Sequence, residues 1–589
     1  MRDPVIIANA SGFWGDEAGA VRRQVLGGPI HYLTMDYLAE ITMIILGRQK
    51  AESEAAGYAR DFVSHLEGVI EEIAARDITV IANAGGINPG ACARAVEEVM
   101  ARKGVSLPVA IVDGDDLMPD LARLAAEGVP FAHLETGEPL GDRVTRVNAA
   151  NAYVGAKPIV AALEKGARIV ITGRTYDAAS VVAPMVHELG WGWQDFDKLA
   201  AALLAGHIIE CGAQATGGNY TLWRDVPSYA EMGFPIVEAS PDGSFVVTKH
   251  PQTGGIVRRT TITEQVLYEI GDPRAYASPD VVADFTSFAL EDLGGDRVRV
   301  SGVKGRPPTD SLKASITYDA GWKLSASVIV SGPDAVAKSK KFAEIYWSRV
   351  RGDLIETRTD LVGYSGCWGE SGAPAVEPNE VVLRFSARAA DAKPLARMAG
   401  ELAGIALAGP AGICGAGGRP QVSPAFGYWP ALVPRDKVTA RLFFEGKSES
   451  FPCADGASAP RFDAPESKAP AAPRPARTTR VKLARVAYGR SGDKGDICNI
   501  GIAALRPELY PELLREVTAE RVADYYKANV RGPVTRYRLD NLHAMNFVLR
   551  NALGGGGTTS LHVDAQGKTM AQGLLNLEVD IASDLLGEA

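Results

Sequence analysis

The sequence predicts an α/β protein: a doubly wound, mostly parallel sheet, followed by an α+β region and a C-terminal ferredoxin-like α+β domain. Three observations lead there. Continuously apolar strand patterns alternate with amphipathic helices over residues 1–225, which is the signature of a parallel sheet covered on both faces. Between 226 and 453 the strands become longer and alternate polar with apolar, as in a mixed α+β region that completes the large domain. A Pro/Ala-rich stretch, "ADGASAPRFDAPESKAPAAPRPARTT" at 454–479, reads as an extended linker, and 480–589 then has a strand, helix and strand pattern of its own.

The chain of 589 residues is too long for one core. Its composition, 46% hydrophobic and 23% charged, is that of a globular protein. A net charge of -9 with no basic cluster argues against a nucleic-acid partner. Six dispersed cysteines with no CxxC pair suit a reducing compartment, and the most apolar helical run, "YLAEITMIIL", is too short to cross a bilayer. A cytoplasmic protein with no membrane partner, assembled as a homo-oligomer, is expected.

In chain order, "VIIANA" (5–10), "ITVIANA" (78–84), "PVAIVDG" (108–114) and "ARIVITG" (167–173) read as the parallel strands. Ligands in such sheets sit beyond the carboxyl ends of the strands. The loops there, "NASGFWGD", "NAGGINPG", "DGDD" and "TGRTYD", are polar and glycine-rich, and Asn9, Ser11, Asn83, Gly85, Gly86 and Asn88 are candidate substrate-binding residues. None of the loops matches GxGxxG or a P-loop.

"GGPIHYLTMDYLAEITMIIL" sets Asp36 and Glu40 one helical turn apart on an otherwise apolar helix, where burial would raise a carboxyl pKa into the range of acid/base work. "TGRTYD" brings Arg174, a fork suited to a carboxylate or phosphate, next to Asp177, a residue type that also caps helices. "AGHIIECGAQATGGNY" gathers His207, Glu210, Cys211, Gly217 and Gly218, with Glu210 favoured over the thiol as the chemical group. Asp36, Glu40, Arg174, Asp177 and Glu210 are thus the candidate catalytic set. Carboxylates with Asp113, Asp115 and Asp116 could supply oxygen ligands to a divalent metal, but "DGDD" is too short to assign one, and no tightly bound cofactor is expected.

In the C-terminal domain, "GRSGDKGDICNIG" (489–501) reads as a hairpin loop. Its alternative is an anion-binding loop, with Arg490, Ser491, Asp493, Lys494 and Asn499 as substrate-binding candidates. The linker would let this domain fold back over the large one.

Taken together, "NASGFWGD", "DYLAEITM", "NAGGINPG", "ITGRTYDAASVVAPMVHELGW", "GHIIECGAQATGGNY" and "HPQTGGIVRRTTITEQVLYEIGDPRAYASPDVVADF" resemble the acyclic terpene utilization proteins, and "YGRSGDKGDICNIGI" resembles the ferredoxin-fold domain of the same family. The resemblance runs in order over nearly the whole chain. It implies an enzyme of citronellol and geraniol catabolism, working beside a biotin-dependent carboxylase and a hydratase. The implied reaction is lysis of a 3-hydroxy-3-methylglutaryl-CoA-like thioester with release of acetate. Coenzyme A then enters as part of the substrate. The alternatives are a hydratase or dehydratase on a related acyl-CoA, action on another branched hydroxy acid, or a non-catalytic partner subunit.

Overall fold

The computed structural model describes residues 3–454, 456–460, 462 and 475–586. The described residues fall into two compact units, one drawn from Met1–Thr317, Trp429–Ala464 and Tyr537–Ala544, the other from Tyr318–Tyr428, Pro465–Arg536 and Met545–Ala589. Most of the linker lies outside the described residues.

The first unit is built on an eleven-stranded sheet. Its first strands in chain order are β1 (Val5–Asn9), β2 (Tyr32–Met35), β3 (Thr79–Ala82) and β4 (Val109–Asp113), and β5 (Val147–Ala152) lies off the sheet; β6 (Ile169–Thr172), β7 (Pro235–Ala239) and β8 (Phe245–Lys249) follow. Five strands run parallel in the order β1-β2-β3-β6-β4, with Ile7 opposite Tyr32, Ile81 opposite Val170 and Ile111 opposite Ile171. β2, β3 and β6 are buried at every position, which explains their unbroken apolar character.

The expected doubly wound parallel sheet is corrected here: the sheet is mixed. On one side β7 and β8 join antiparallel, followed by Val298–Ser301 and Ala289–Asp292; on the other Thr439–Phe444 and Lys447–Pro452 join β4. Of these flanking strands, Val298–Ser301 and Thr439–Phe444 are wetted on one face and alternate, while β7 and β8 stay largely buried. In "TARLFF", Ala440 and Leu442 are buried while Thr439 and Arg441 are exposed.

Helices cover both faces of the parallel strands. α1 (Ala18–Leu26), α2 (Glu40–Glu52) and the helices Arg60–Glu67 and Pro89–Lys103 pack Val25, Leu46, Phe62 and Val96 against Leu33, Val80 and Ile171. Helices Ala179–Leu189 and Phe196–Ile209 pack on the strands separately, and the second is buried from Leu199 onward. Its sequence, "LAAALLAGHII", is accordingly apolar all round. Among the described residues no helix is long and apolar enough to cross a membrane.

In the second unit, strand Glu356–Val362 pairs with Glu380–Ala389, which in turn pairs with the later part of the long strand Ser311–Ser331. One face of this sheet packs Leu324, Leu383 and Phe385 against helices Ala335–Arg349 and Ala392–Ile405. The C-terminal domain forms a four-stranded sheet in the order Ala487–Lys494, Ile497–Ala504, Ala544–Leu549, Val534–Leu539. Its core holds Ile500, Ile502, Leu513, Val522 and Phe547.

Two local readings are corrected. Asp36 and Glu40 do not share a helix: "YLTM" is β2, Asp36 follows it in extended chain, and α2 starts at Glu40. The run is apolar on both sides of Asp36 because a fully buried strand and a core-facing helix adjoin, and periodicity cannot separate the two. Likewise most of "GRSGDKGD" is strand, not loop. Lys494 pairs with Ile497 in register, so the turn is only Gly495-Asp496.

Candidate functional site

The carboxyl ends of the parallel strands bring the polar residues together. Asn9 ends β1, and its Nδ2 donates to the Ser11 carbonyl at 3.0 Å. Ser11 Oγ lies 2.9 Å from the Asp36 carbonyl, to which it donates, and Asp36 N donates to Ser11 O at 3.0 Å. Asn83, just past β3, donates from Nδ2 to Asp36 Oδ1 at 2.6 Å and accepts from Tyr37 N at 2.8 Å. Leu38 N adds a second donor to Asp36 Oδ1 at 3.0 Å. Three strand ends are thereby tied around one residue, Asp36, the first through its backbone and the third through its carboxyl group.

Arg174, past β6, is 3% exposed. Its Nη2 donates to Tyr153 OH at 2.8 Å, its Nη1 donates to the Leu38 carbonyl and stands 3.0 Å from Asp177 Oδ1, and its guanidinium carbon lies 4.2 Å from the centre of the Tyr153 ring. The expected N-cap role of Asp177 is not what the structure has, since helix Ala179–Leu189 is capped at Ala178 without a side-chain bond. Asp177 faces the guanidinium instead. Glu40 opens α2, with its Oε1 3.5 Å from both Tyr153 OH and Lys313 Nζ. Glu210 follows helix Phe196–Ile209; its Oε1 is 3.6 Å from His207 Nδ1, which also lies 3.4 Å from Tyr276 OH.

The electrostatics follow from this crowding. Asp36 is raised well above the ordinary carboxyl range, first by burial and then by the negative charge of Asp177; Arg174 and the Asn83 hydrogen bond oppose the rise, and Glu210 adds to it. Burial also works against the charge on Arg174, but Asp177, Tyr153, Asp36 and Glu40 outweigh it. The five candidate catalytic residues are therefore linked electrostatically through Asp36, which feels Asp177 and Glu210, and Arg174, which feels Asp177 and Glu40. One buried acceptor at this edge, Asn9 Oδ1, has no hydrogen-bond partner in the protein, whereas Asp177 Oδ1 is held by its ion pair with Arg174. A buried acceptor without a donor is costly, by about 1–3 kcal/mol, unless a ligand or water supplies one.

Other candidates have structural duties. Asn88 caps helix Pro89–Lys103, accepting from Ala91 N and donating to the Glu54 and Ala56 carbonyls at 2.8 Å. A Cβ at Gly85 would sit 2.6 Å from the Thr172 carbonyl, so this glycine permits the close approach of two strand-end loops. Gly217 and Gly218 turn the chain beside Ile256 and Ala213. The three acids of "DGDD" are separately engaged: Asp113 by Arg441 at 2.8 Å, Asp116 by Met118 N at 3.0 Å, and Asp115 by Asn151 and Arg174 N at 2.8 and 2.9 Å. Among the described residues no group of His, Cys, Asp and Glu could hold a metal ion.

In the C-terminal hairpin, Arg490, Ser491 and Asn499 are buried and Lys494 is exposed. Ser491 Oγ accepts from Ala571 N at 2.8 Å, Asn499 donates to Asn546 at 2.9 Å, and Asp493 pairs with Lys568 at 3.3 Å.

Sequence reasoning missed Tyr153, Lys313 and Tyr276, and took Asp115 only as a metal ligand. Tyr153 follows β5, and its N–H donates to the Lys313 carbonyl at 2.9 Å, so two segments distant in sequence deliver the phenol and ammonium together. A lysine inside the apolar-alternating "SLKASITY" was the available signal.

Fold and site define a class: a mixed α/β protein with a buried, arginine-compensated carboxylate centre at the ends of its parallel strands, carried on one chain with a ferredoxin-like domain. The family model described as acyclic terpene utilisation family protein AtuA matches residues 5–444, and that of the AtuA ferredoxin-like domain matches residues 481–580. The chain belongs to the acyclic terpene utilisation family, which ties it to the use of acyclic terpenes. Comparison with curated proteins returned no match.

Proposed function

We propose that the chain is a carbon–carbon lyase acting on a branched 3-hydroxyacyl-CoA of the 3-hydroxy-3-methylglutaryl type. The observation that carries this reading is the pairing of a buried carboxyl pushed strongly upward, Asp36, with a second carboxylate, Asp177, held against Arg174. Two carboxyl groups in unlike settings are what a reaction needing both a proton acceptor and a proton donor requires.

In this scheme Asp177 takes the proton from the tertiary hydroxyl. The carbonyl forms at that carbon, the adjacent carbon–carbon bond breaks, and its electron pair passes to the departing acetate unit as an enolate. Asp36 gives its proton to the enolate carbon, completing acetate, and the proton on Asp177 returns to Asp36. Asn9 Oδ1, a buried acceptor without a partner, is suited to a substrate hydroxyl or bound water. Arg174, whose Nη atoms already serve Leu38, Tyr153 and Asp177, positions the pair and neutralises it rather than gripping substrate. Lys313, beside Glu40, supplies positive charge for the substrate carboxylate.

The same acid and base would serve hydration of a related enoyl-CoA. The test is to incubate the purified protein with branched 3-hydroxyacyl-CoA and enoyl-CoA thioesters and follow products by mass spectrometry. Acetate with a 3-oxoacyl-CoA supports the lyase. A product differing by one water transfers the acid/base pair to hydration, and no turnover on any thioester overturns both.

A further inference from the structure

The second unit carries a charged sheet face that the carboxylate centre does not use. Strand register puts Lys323 opposite Arg388 and Arg388 opposite Glu356; one row on, Ser325 faces Ser386 and Ser386 faces Arg358; then Ser327 faces Arg384, which faces Asp360. The opposite face is the apolar one that packs the two helices. Four cations and two carboxylates therefore share one face, roofed by the segment 558–562: Lys323 Nζ donates to the Thr558 carbonyl and Arg384 Nη1 to the Leu561 carbonyl, each at 2.7 Å.

The internal pairing leaves donors over. Asp360 takes Arg358 Nε and Arg384 Nη1, both at 2.7 Å, and Glu356 takes Arg388 Nε at 3.0 Å. Among the described contacts the Arg388 Nη atoms and the Arg531 guanidinium have no acceptor, and Lys323 uses one donor of three. Thr558 Oγ1, in the roof next to Lys323, is buried without a hydrogen-bond partner. The crowding of positive charge is felt by its neighbours: burial, then Arg384 and Arg388, depress the Lys323 ammonium, and burial with Arg358, Arg531 and Arg384 pushes the His562 imidazole down to about 4. Asp496 is bound by the N–H groups of Leu553 and Gly555, and Asp564 by those of Lys568 and Thr569.

We infer that this recess is a binding site for the phosphate group of a nucleotide-type ligand, held by Arg388, Lys323 and Arg531 with the Thr558 hydroxyl. A phosphate offers several strong acceptor oxygens to donors arriving from different strands, and planar guanidinium forks meet it bidentately. A single carboxylate would leave some of these donors unanswered. The site is independent of the carboxylate centre and of any reaction there.

Calorimetric titration of the full chain with inorganic phosphate, ADP, coenzyme A and pantetheine tests it. Binding of ADP or coenzyme A with no binding of pantetheine is expected, and the ratio between ADP and coenzyme A tells whether the diphosphate or the additional ribose phosphate is the group held. Arg388→Gln and Lys323→Gln should each weaken the affinity about tenfold, with the loss shrinking as salt rises. Lys340→Gln, on helix Ala335–Arg349 and outside the recess, should bind like the parent. A readout in the parent protein alone is the His562 titration by NMR, which should move upward when phosphate or ADP is added. No binding of any phosphate-bearing probe, or parent-like affinity in both recess variants, overturns the inference; so does a His562 titration unmoved at saturating ADP.

Discussion

The strand-end loops of the first unit and the hairpin of the C-terminal domain are composed of the same residue types, glycine with asparagine, aspartate, serine and a basic side chain, yet they fold differently. "NAGGINPG" and "TGRTYD" leave the sheet, and their polar groups converge on Asp36 and Arg174. "GRSGDKGDICNIG" stays in a paired ladder from Ala487 to Ala504, and its buried Ser491 and Asn499 are answered inside the hairpin's own domain. Composition does not separate the two. What does is the neighbouring strand: a parallel strand must turn into a helix at its carboxyl end and so presents its loop, whereas an antiparallel strand can return through two residues.

The sharpest way to break this contrast is to remove the cation from the first region. Arg174→Met leaves the partly exposed Asp177 without its cation and the Leu38 carbonyl and Tyr153 hydroxyl without their donor, and should lower stability by about 2–3 kcal/mol, read as a fall in the denaturation midpoint. A variant as stable as the parent would mean that the guanidinium does not hold the strand ends.

Asp36→Asn isolates chemistry from architecture. If Asp36 carries its proton at neutral pH, the amide is close to isosteric and its Oδ1 still accepts from Asn83 and Leu38. Stability should then change by no more than about 1 kcal/mol, while turnover of the responsive thioester falls about 10²–10⁴-fold. Large destabilisation with retained activity would reverse the assignment.

Asp115 gives a pH test. Burial pushes its carboxyl from 3.8 up to about 7, against the Arg174 N–H and Asn151 hydrogen bonds. The folded state then binds the proton more tightly than the unfolded state, so the stability contributed by the protonated form is complete below about pH 4 and is lost as pH rises through about 7. Asp115→Asn should flatten the fall in thermal midpoint between those values. A slope equal to the parent's would place the linkage elsewhere.

The smallest effect belongs to the hairpin. Lys494 is exposed next to the turn, and Lys494→Ala should shift stability by no more than about 0.5 kcal/mol. A loss several times larger would show that the hairpin tip bears on the fold.

The contrast also marks what the sequence could show. Strands β3 and β6 were legible because full burial makes them continuously apolar, β4 was legible from its apolar run although it is only partly buried, and the long strand Ser311–Ser331 and its helices were legible from alternation. β2 was hidden because it runs directly into α2 with Asp36 between them, and the antiparallel flanks were hidden because pairing direction leaves no local mark. Asp36 and Glu40 were singled out from charge in apolar surroundings, although the helical spacing invoked for them does not exist, Arg174 and Asp177 from their place between a strand and its helix, and Glu210 from the polar residues gathered around it. The adjacency of Tyr153 and Lys313 was out of reach, because about 160 residues of chain separate groups that only the fold brings together.

The protonation of Asp36 can be read directly by infrared difference spectroscopy at pH 7, comparing the parent with Asp36→Asn in the carbonyl-stretch region of a protonated carboxyl group. A buried Asp36 crowded by Asp177 predicts that the parent shows such a band and the variant lacks it. A parent spectrum in which the substitution removes only carboxylate absorption would contradict the assignment of Asp36 as the proton-holding member of the pair.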